Sequence, residues 1–434
     1  MDPLALELNE KIARNNPHTF ESMSRLGKAL FFPKAILHQA GEAKQKARAF
    51  DATAGIATEG KGPMYLKTIH RKLSAFSPKD LYLYAPPAGK PELRQAWRAK
   101  LLEENPSLAD KNFGLPIATN ALTHGLSIVA DLFCDEGDVI ISPDKFYENY
   151  SLTYEVKYGC EIVTFPLFDE SRRFNHEGLR GSLLGQRGKG KAIVLLNFPN
   201  NPTGYTPTVG EAQDIVRVIR EVAEAGMNIV AVMDDAYYGL FFEECLTESL
   251  FGMLAGIHPR VLAIKVDGAT KEDFVWGFRV GFITYASQSN ELLDALEKKT
   301  MGSIRATISN GPHPSQTFIL EAMRDPGFKD EVREKLDILK RRALRVKEIL
   351  LDTPKYGEAW DYYPFNSGYF MCLRLKHVKA EALRVHLLDK YGVGTISLGD
   401  TDLRIAFSSV EEGSLGDMFE LIYSAACDLG GRPV

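Results

Sequence analysis

Five short runs are apolar at nearly every position: "DVIISP" (138–143), "KAIVLLNF" (191–198), "NIVAVMDD" (228–235), "VLAIKVD" (261–267) and "VGFITYA" (280–286). A strand with one wet face alternates apolar and polar residues. These do not, so both of their faces must be covered. Between two of them lies "GEAQDIVRVIREVAEAG", with Ile215, Ile219 and Val222 at helical spacing and Gly226 at the C-terminal cap position. Strand–helix alternation predicts an α/β fold, a mostly parallel sheet with helices on both faces. "VGFITYA" follows the preceding strand after only about a dozen residues. That is too short for a helical crossover, so this strand is expected to be antiparallel.

The pattern changes at "RDPGF" (324–328). A long helix follows, in which Val332, Leu336, Leu339, Ala343, Val346 and Leu350 form one apolar stripe. Two strand candidates come next, "YFMCLRL" (369–375) and "DLRIAFSS" (402–409). The first fifty or so residues are polar and read as helical. The expected organisation is a large domain over 60–325 and a smaller α+β domain built from 1–59 and 326–434. Net charge is −5, against the basic excess of a nucleic-acid binder. No run approaches membrane-spanning length, and "MDPLALELNEKIARNN" lacks a signal pattern. The five cysteines are odd in number and lack CxxC pairs, so a cytoplasmic chain with reduced thiols and no metal site is expected.

"GQRGKGKA" (185–192) nearly matches a phosphate loop. It has Ala192 where a hydroxyl is needed and precedes a strand rather than a helix, so it reads as a solvated basic turn. Three other stretches sit at strand ends. "NFPNNPTGY" (197–205) is a turn by composition, yet it follows a central strand, where open α/β sheets bind ligands. "DDAYYG" (234–239) puts an acid at the end of a buried strand. That acid is either a helix cap or ion-pair partner, or a carboxylate for a ligand cation. "DGATKEDFVWGFRVGF" (267–282) places Lys271 after a buried strand, with Arg279 eight residues on. Lys271 is a surface charge or, if desolvated, a nucleophilic amine, and Arg279 suits a phosphate. An amine, a carboxylate, amide and phenol donors and a guanidinium together make the protein side of a pyridoxal-phosphate site.

In these motifs the chain resembles the fold-type I pyridoxal-phosphate aminotransferases, the class I/II aspartate/aromatic group, over roughly residues 50–410. The resemblance implies that Lys271 is the Schiff-base lysine and proton carrier. It implies that Asp234 pairs with the pyridine nitrogen, that Asn201 and Tyr237 meet the 3′-oxygen, and that Arg279 binds the phosphate. "TNALTHGL" (119–126) resembles the phosphate-cup turn, which assigns Leu122 and Thr123 to the phosphate. "FYENY" (146–150) assigns Tyr147 to stacking on the cofactor. "LYAPPAGKPELRQAW" (83–97) implies that Tyr84 reaches the site of a second subunit, and so a homodimer. "DLRIAFSS" assigns Arg404 to the substrate α-carboxylate, and "TAGIAT" (53–58) brings Gly55 beside it. "NSGYF" (366–370) resembles a pocket-lining segment. "SIRATISNGP" (303–312) nominates Arg305 for a side-chain carboxylate, and so a dicarboxylate substrate such as glutamate or 2-oxoglutarate.

Two departures stand out. The family has hydroxyl residues before the lysine; here Gly268 and Ala269 leave only Thr270. Ala121 and Leu122 likewise lack hydroxyls in the phosphate cup. Lys265, within the strand, lacks the Gly-x-Arg partner at the right spacing and is rejected as the nucleophile. The expected activity is amino transfer between an amino acid and a 2-oxo acid. The rivals are a lyase or decarboxylase on the same fold, and a non-enzymatic sensor domain.

Overall fold

The computed structural model describes residues 1–430, except 24, 31–35, 54, 61, 73 and 353. Its centre is a seven-stranded sheet. In chain order the strands are β1 (Ile117–Asn120), β2 (Val139–Pro143), β3 (Glu161–Phe165), β4 (Lys191–Asn197), β5 (Asn228–Asp234), β6 (Val261–Asp267) and β7 (Val280–Ala286). Their order across the sheet is β1-β7-β6-β5-β4-β2-β3. β2 to β6 pair in parallel, while β7 runs antiparallel to both β6 and β1. The short connection before β7 has the consequence expected of it.

The reading of both-face burial holds for the central strands: β2 and β7 are buried at every position. Two strands were missed, for physical reasons. β1 has only four residues and runs straight into a helix, so it shows no period. β3 lies at the sheet edge, and its "EIVTF" is half-exposed, so it lacks the apolar run that marks its neighbours. Five helices pack around this sheet: α1 (Pro91–Glu104), α2 (Ala121–Phe133), α3 (Val209–Glu224), the single turn α4 (Ala269–Glu272) and α5 (Asn290–Thr307). α3 starts with a capping box in which Thr208 and Glu211 satisfy each other's backbone N–H groups.

The long helix α6 spans Phe328–Asp352. Beyond it a four-stranded antiparallel sheet is formed by β8 (Trp360–Tyr362), β9 (Phe370–Leu375), β10 (Ile396–Leu398) and β11 (Asp402–Ala406), in the order β8-β9-β11-β10. "DLRIAFSS" leaves the sheet at Ala406, and Phe407–Ser409 form a 3-10 turn. The N-terminal segment joins this smaller α+β region through the parallel pairing of Phe50–Asp51 with Val393–Gly394. All five cysteines are free thiols. Among the described residues, no helix is long and apolar enough to cross a membrane.

Candidate active site

β4 and β5 end side by side, with Asn197 opposite Asp234. Beyond those ends lies a cavity of about 320 Å³, and the N-terminus of α2 and the segment from Thr270 to Arg279 close it. Asn197 ties the two strand ends together. Its Nδ2 donates to the Asp234 carbonyl at 2.7 Å, and its Oδ1 accepts from the Asn201 N–H at 2.7 Å. The following turn closes through Gly204, whose N–H donates to the Asn200 carbonyl at 2.8 Å. Gly204 has φ +76°, and a Cβ there would lie 2.0 Å from the Phe370 carbonyl oxygen. Only glycine lets this turn pack against β9.

Asp234 is buried at the cavity floor. Its carboxylate accepts from Tyr150 Oη at 2.5 Å and from the Ala236 N–H at 3.2 Å. Burial pushes the carboxyl up to about 6, against the opposing pull of Tyr150 and of the Lys271 charge. Lys271, carried by α4, has its Nζ 5.1 Å from the Tyr237 ring centre. This Nζ makes no hydrogen bond or ion pair among the described residues, while the Lys271 carbonyl accepts from Tyr369 Oη at 2.9 Å. Burial pushes its amine down to about 8, outweighing the attraction of Asp234, and the Arg279 charge acts in the same direction. Such an amine is neutral in useful proportion near neutral pH. Tyr237 is buried, and its ring packs edge-on to Phe370.

Arg404 enters from β11 and is buried. Nη1 donates to Asn201 Oδ1 at 2.9 Å and Nη2 to the Thr53 carbonyl at 3.1 Å, while the guanidinium lies 4.3 Å from the Phe370 ring centre. Nε is enclosed without a partner, and no carboxylate pairs with this cation among the described residues. Burial lowers its pKa. A buried cation without an anion is a costly arrangement that a ligand carboxylate relieves.

The opposite end of the cavity suits a phosphate. Ala121 has φ +61°, its N–H donates to the Arg279 carbonyl at 3.1 Å, and α2 begins there. Leu122 and Thr123 present the first turn of α2 to the cavity, where backbone N–H groups have no helical acceptor. Arg279 stands at the rim, with Nη1 on the Trp276 carbonyl at 3.1 Å. Thr270 donates to the Val280 carbonyl at 3.2 Å, which commits its one hydroxyl proton. The missing hydroxyl at Gly268 now has a cause. A Cβ there would sit 2.5 Å from both the Val280 carbonyl oxygen and Gly281 Cα, and one at Gly281 would sit 2.7 Å from the Ala121 carbonyl carbon. The backbones of α4, β7 and α2 meet where a serine would need room.

Tyr147 and Gly55 also line this cavity. Tyr84 and Arg305 do not. Tyr84 is 89% exposed, and Arg305, in the last turn of α5, is exposed and bonds Ser309. Three lining or supporting residues went unnoticed in the sequence: Asn197, Tyr150 and Trp276, whose indole Nε1 is enclosed without a partner. Tyr150 follows Tyr147 by three residues, the one signal that could have flagged it. Among the described residues no group of His, Cys, Asp or Glu side chains is placed to hold a metal ion. The donor set does fit pyridoxal phosphate: an unpaired amine, a strand-end carboxylate, an anion-free guanidinium and a helix N-terminus with an arginine beside it.

A family model described as aminotransferase class I and II matches residues 59–419. A probable aspartate/prephenate aminotransferase of Aquifex aeolicus is 26% identical over 302 residues, covering 66% of this chain and 69% of that protein. An aspartate aminotransferase of Pyrococcus horikoshii is 24% identical over 353 residues, covering 76% and 79%. Among solved structures, an aminotransferase from Anaerococcus prevotii superposes with a TM-score of 0.82 at 21% identity, over 94% of this chain and 99% of that one. A multiple substrate aminotransferase from Thermococcus profundus gives 0.79 at 16% identity, over 96% and 100%. At such identities the structural likeness speaks for the fold.

Proposed function

The chain belongs to the class I and II aminotransferases, and from that premise we propose that it moves an amino group between an L-amino acid and a 2-oxo acid in two half-reactions, with pyridoxal phosphate carried on Lys271. One observation carries the reading: a single cavity holds an unpaired amine, a buried carboxylate and a buried guanidinium with no anion.

When bound, the cofactor supplies an aldehyde for an amine and a conjugated ring that withdraws electrons from the substrate's Cα. The chain's own groups do the rest. Lys271 Nζ, available as the neutral amine, would carry the cofactor and would hold and move the proton at the substrate's Cα. Asp234, held by Tyr150 and the Ala236 N–H, offers its carboxylate to the ring nitrogen. Asn201 and Tyr237 would serve the cofactor's ring oxygen and Tyr147 its ring, while Leu122, Thr123 and Arg279, with Thr270 nearby, would hold its phosphate. Arg404, steadied by Asn201 and Phe370, binds the α-carboxylate next to Gly55.

The large domain is taken to span 60–325, with 1–59 and 326–434 forming the smaller one. The exposure of Tyr84 and Arg305 favours a homodimer in which each reaches the other subunit's site. Arg305 would then bind a dicarboxylate such as glutamate or 2-oxoglutarate. The test is a borohydride reduction of protein loaded with pyridoxal phosphate. Mass spectrometry should find the cofactor fixed on Lys271 and absent from Lys271→Ala. An amino acid added alone should convert the visible absorbance to that of the aminated cofactor. Cofactor fixed equally on Lys271→Ala would overturn the assignment. Release of ammonia or carbon dioxide without that conversion would favour a lyase.

A further inference from the structure

The apolar stripe of α6 is not wholly used by the core. Leu339, Ala343 and Val346 are buried, but Val332 and Leu336 are only half-buried. They face a second cavity, of about 470 Å³, between α6, α1 and the residues that follow Lys271. It lies behind α4, whose Lys271 and Glu272 line one cavity each.

The walls are mostly carbon, and one end is acidic. There Glu104 and Glu272 share one ammonium, Lys100, which bonds Glu104 at 2.6 Å and Glu272 at 3.2 Å, and Asp273 stands beside them without bonding it. The other cations on the rim are engaged: Lys329 bonds Glu103 and Arg324 bonds Glu321. Asp273 is 2% exposed, and its carboxylate has no hydrogen-bond partner among the described residues; its Oδ2 is enclosed. Burial pushes its carboxyl up to about 7 despite Lys100. A buried carboxylate left unpaired is costly, and such groups in native interiors call for an explanation. The enclosure has the size of small-molecule sites and their usual make-up, apolar walls with a few polar groups. Carbon walls would not hydrate a metal ion, and no metal-holding group of side chains occurs among the described residues.

We propose that this cavity binds an amphipathic organic cation, with an amidinium, guanidinium or ammonium head on Asp273 and an apolar body against Phe274, Phe328 and Leu336. A charged N–H donor suits the one carboxylate oxygen that the cavity can reach better than a neutral donor does. The proposal stands apart from the chemistry at Lys271.

The probe is benzamidinium, titrated calorimetrically into the cofactor-loaded enzyme, with benzamide as the uncharged isostere. Benzamidinium should bind saturably, and benzamide about tenfold more weakly or worse, the worth of a charge-assisted hydrogen bond. Asp273→Asn should weaken benzamidinium by a similar factor without loss of stability, since the carboxylate has no partner to lose. Ala96→Phe, which fills the cavity from α1, should weaken it too. Absence of saturable heat at millimolar benzamidinium, or binding that survives both substitutions, would overturn the proposal.

Discussion

Two lysines stand six residues apart, and each faces one of two consecutive acids. Lys265, buried inside β6, ion-pairs with Asp235 and lies 3.6 Å from Asp267. Lys271, one turn past the strand and half-buried, lies near Asp234, and its Nζ bonds nothing among the described residues. Burial opposes the charge on both. At Lys265 the two carboxylates win, and the pKa rises. At Lys271 burial wins, and the amine falls to about 8. The acids differ in the same sense. Asp235 is held by Lys265 and by Ser249 Oγ at 2.6 Å, whereas Asp234 has a tyrosine and a backbone N–H and is pushed up to about 6. Burial alone therefore does not lower a lysine's pKa. Burial without a bonded carboxylate does, and the same segment holds one of each.

The largest test of this contrast is Lys265→Met. It leaves Asp235 and Asp267 buried without their cation, and breaking a buried pair costs about 3–5 kcal/mol. Chemical denaturation should show that loss, while borohydride still fixes the cofactor on Lys271. Unchanged stability would mean the pair is not formed.

Next comes the pH dependence of cofactor-free protein. The folded pKa of Lys271 lies below its unfolded value of 10.5. Between about pH 8 and 10.5 the unfolded chain holds a proton that the folded chain has released, so stability rises with pH through that window. The Lys271 contribution to that rise is about 3 kcal/mol. Lys271→Met should lack that contribution and should already be more stable near neutral pH, while Lys347, whose amine burial also lowers to about 8, keeps its own. Lys265 contributes no rise there, because its folded pKa is raised. A Lys271→Met curve that runs parallel to the wild type over this window would remove the claim that the Lys271 amine is unpaired.

The comparison also shows what the sequence could convey. Central strands were legible because burial on both faces leaves an uninterrupted apolar run, and β7's direction followed from a short connection. Lys271, Asp234 and Asn201 were nominated by motifs at strand ends and Arg404 by the family resemblance of its strand, and the cavity collects all four. Lys265 was set aside because it lacked a neighbouring Gly-x-Arg. Its pairing with Asp235 joins residues 30 apart and could not be read from local pattern. Tyr150 and Asn197 were missed for the same reason, since each acts through a bond to Asp234 that only the sheet creates. Gly268 looked like a deficiency in the motif. Its cause is the contact of three backbones, which no linear pattern encodes.

The smallest effects sharpen the contrast most, because they change one hydroxyl on each acid. Tyr150→Phe removes the donor that pulls Asp234 down, so its pKa should move above about 6. Cofactor affinity, which needs the carboxylate opposite a ring cation, should then begin to fail at a higher pH than in the wild type, as followed by fluorescence at a series of pH values. Ser249→Ala removes the corresponding hydroxyl from Asp235. Lys265 remains to hold that acid, so the expected cost is only about 1 kcal/mol of stability, with no movement of the pH at which cofactor is lost. If Ser249→Ala moved that pH as far as Tyr150→Phe does, the two acids would be one coupled system, and the division between a structural lysine and a reactive one would have to be abandoned.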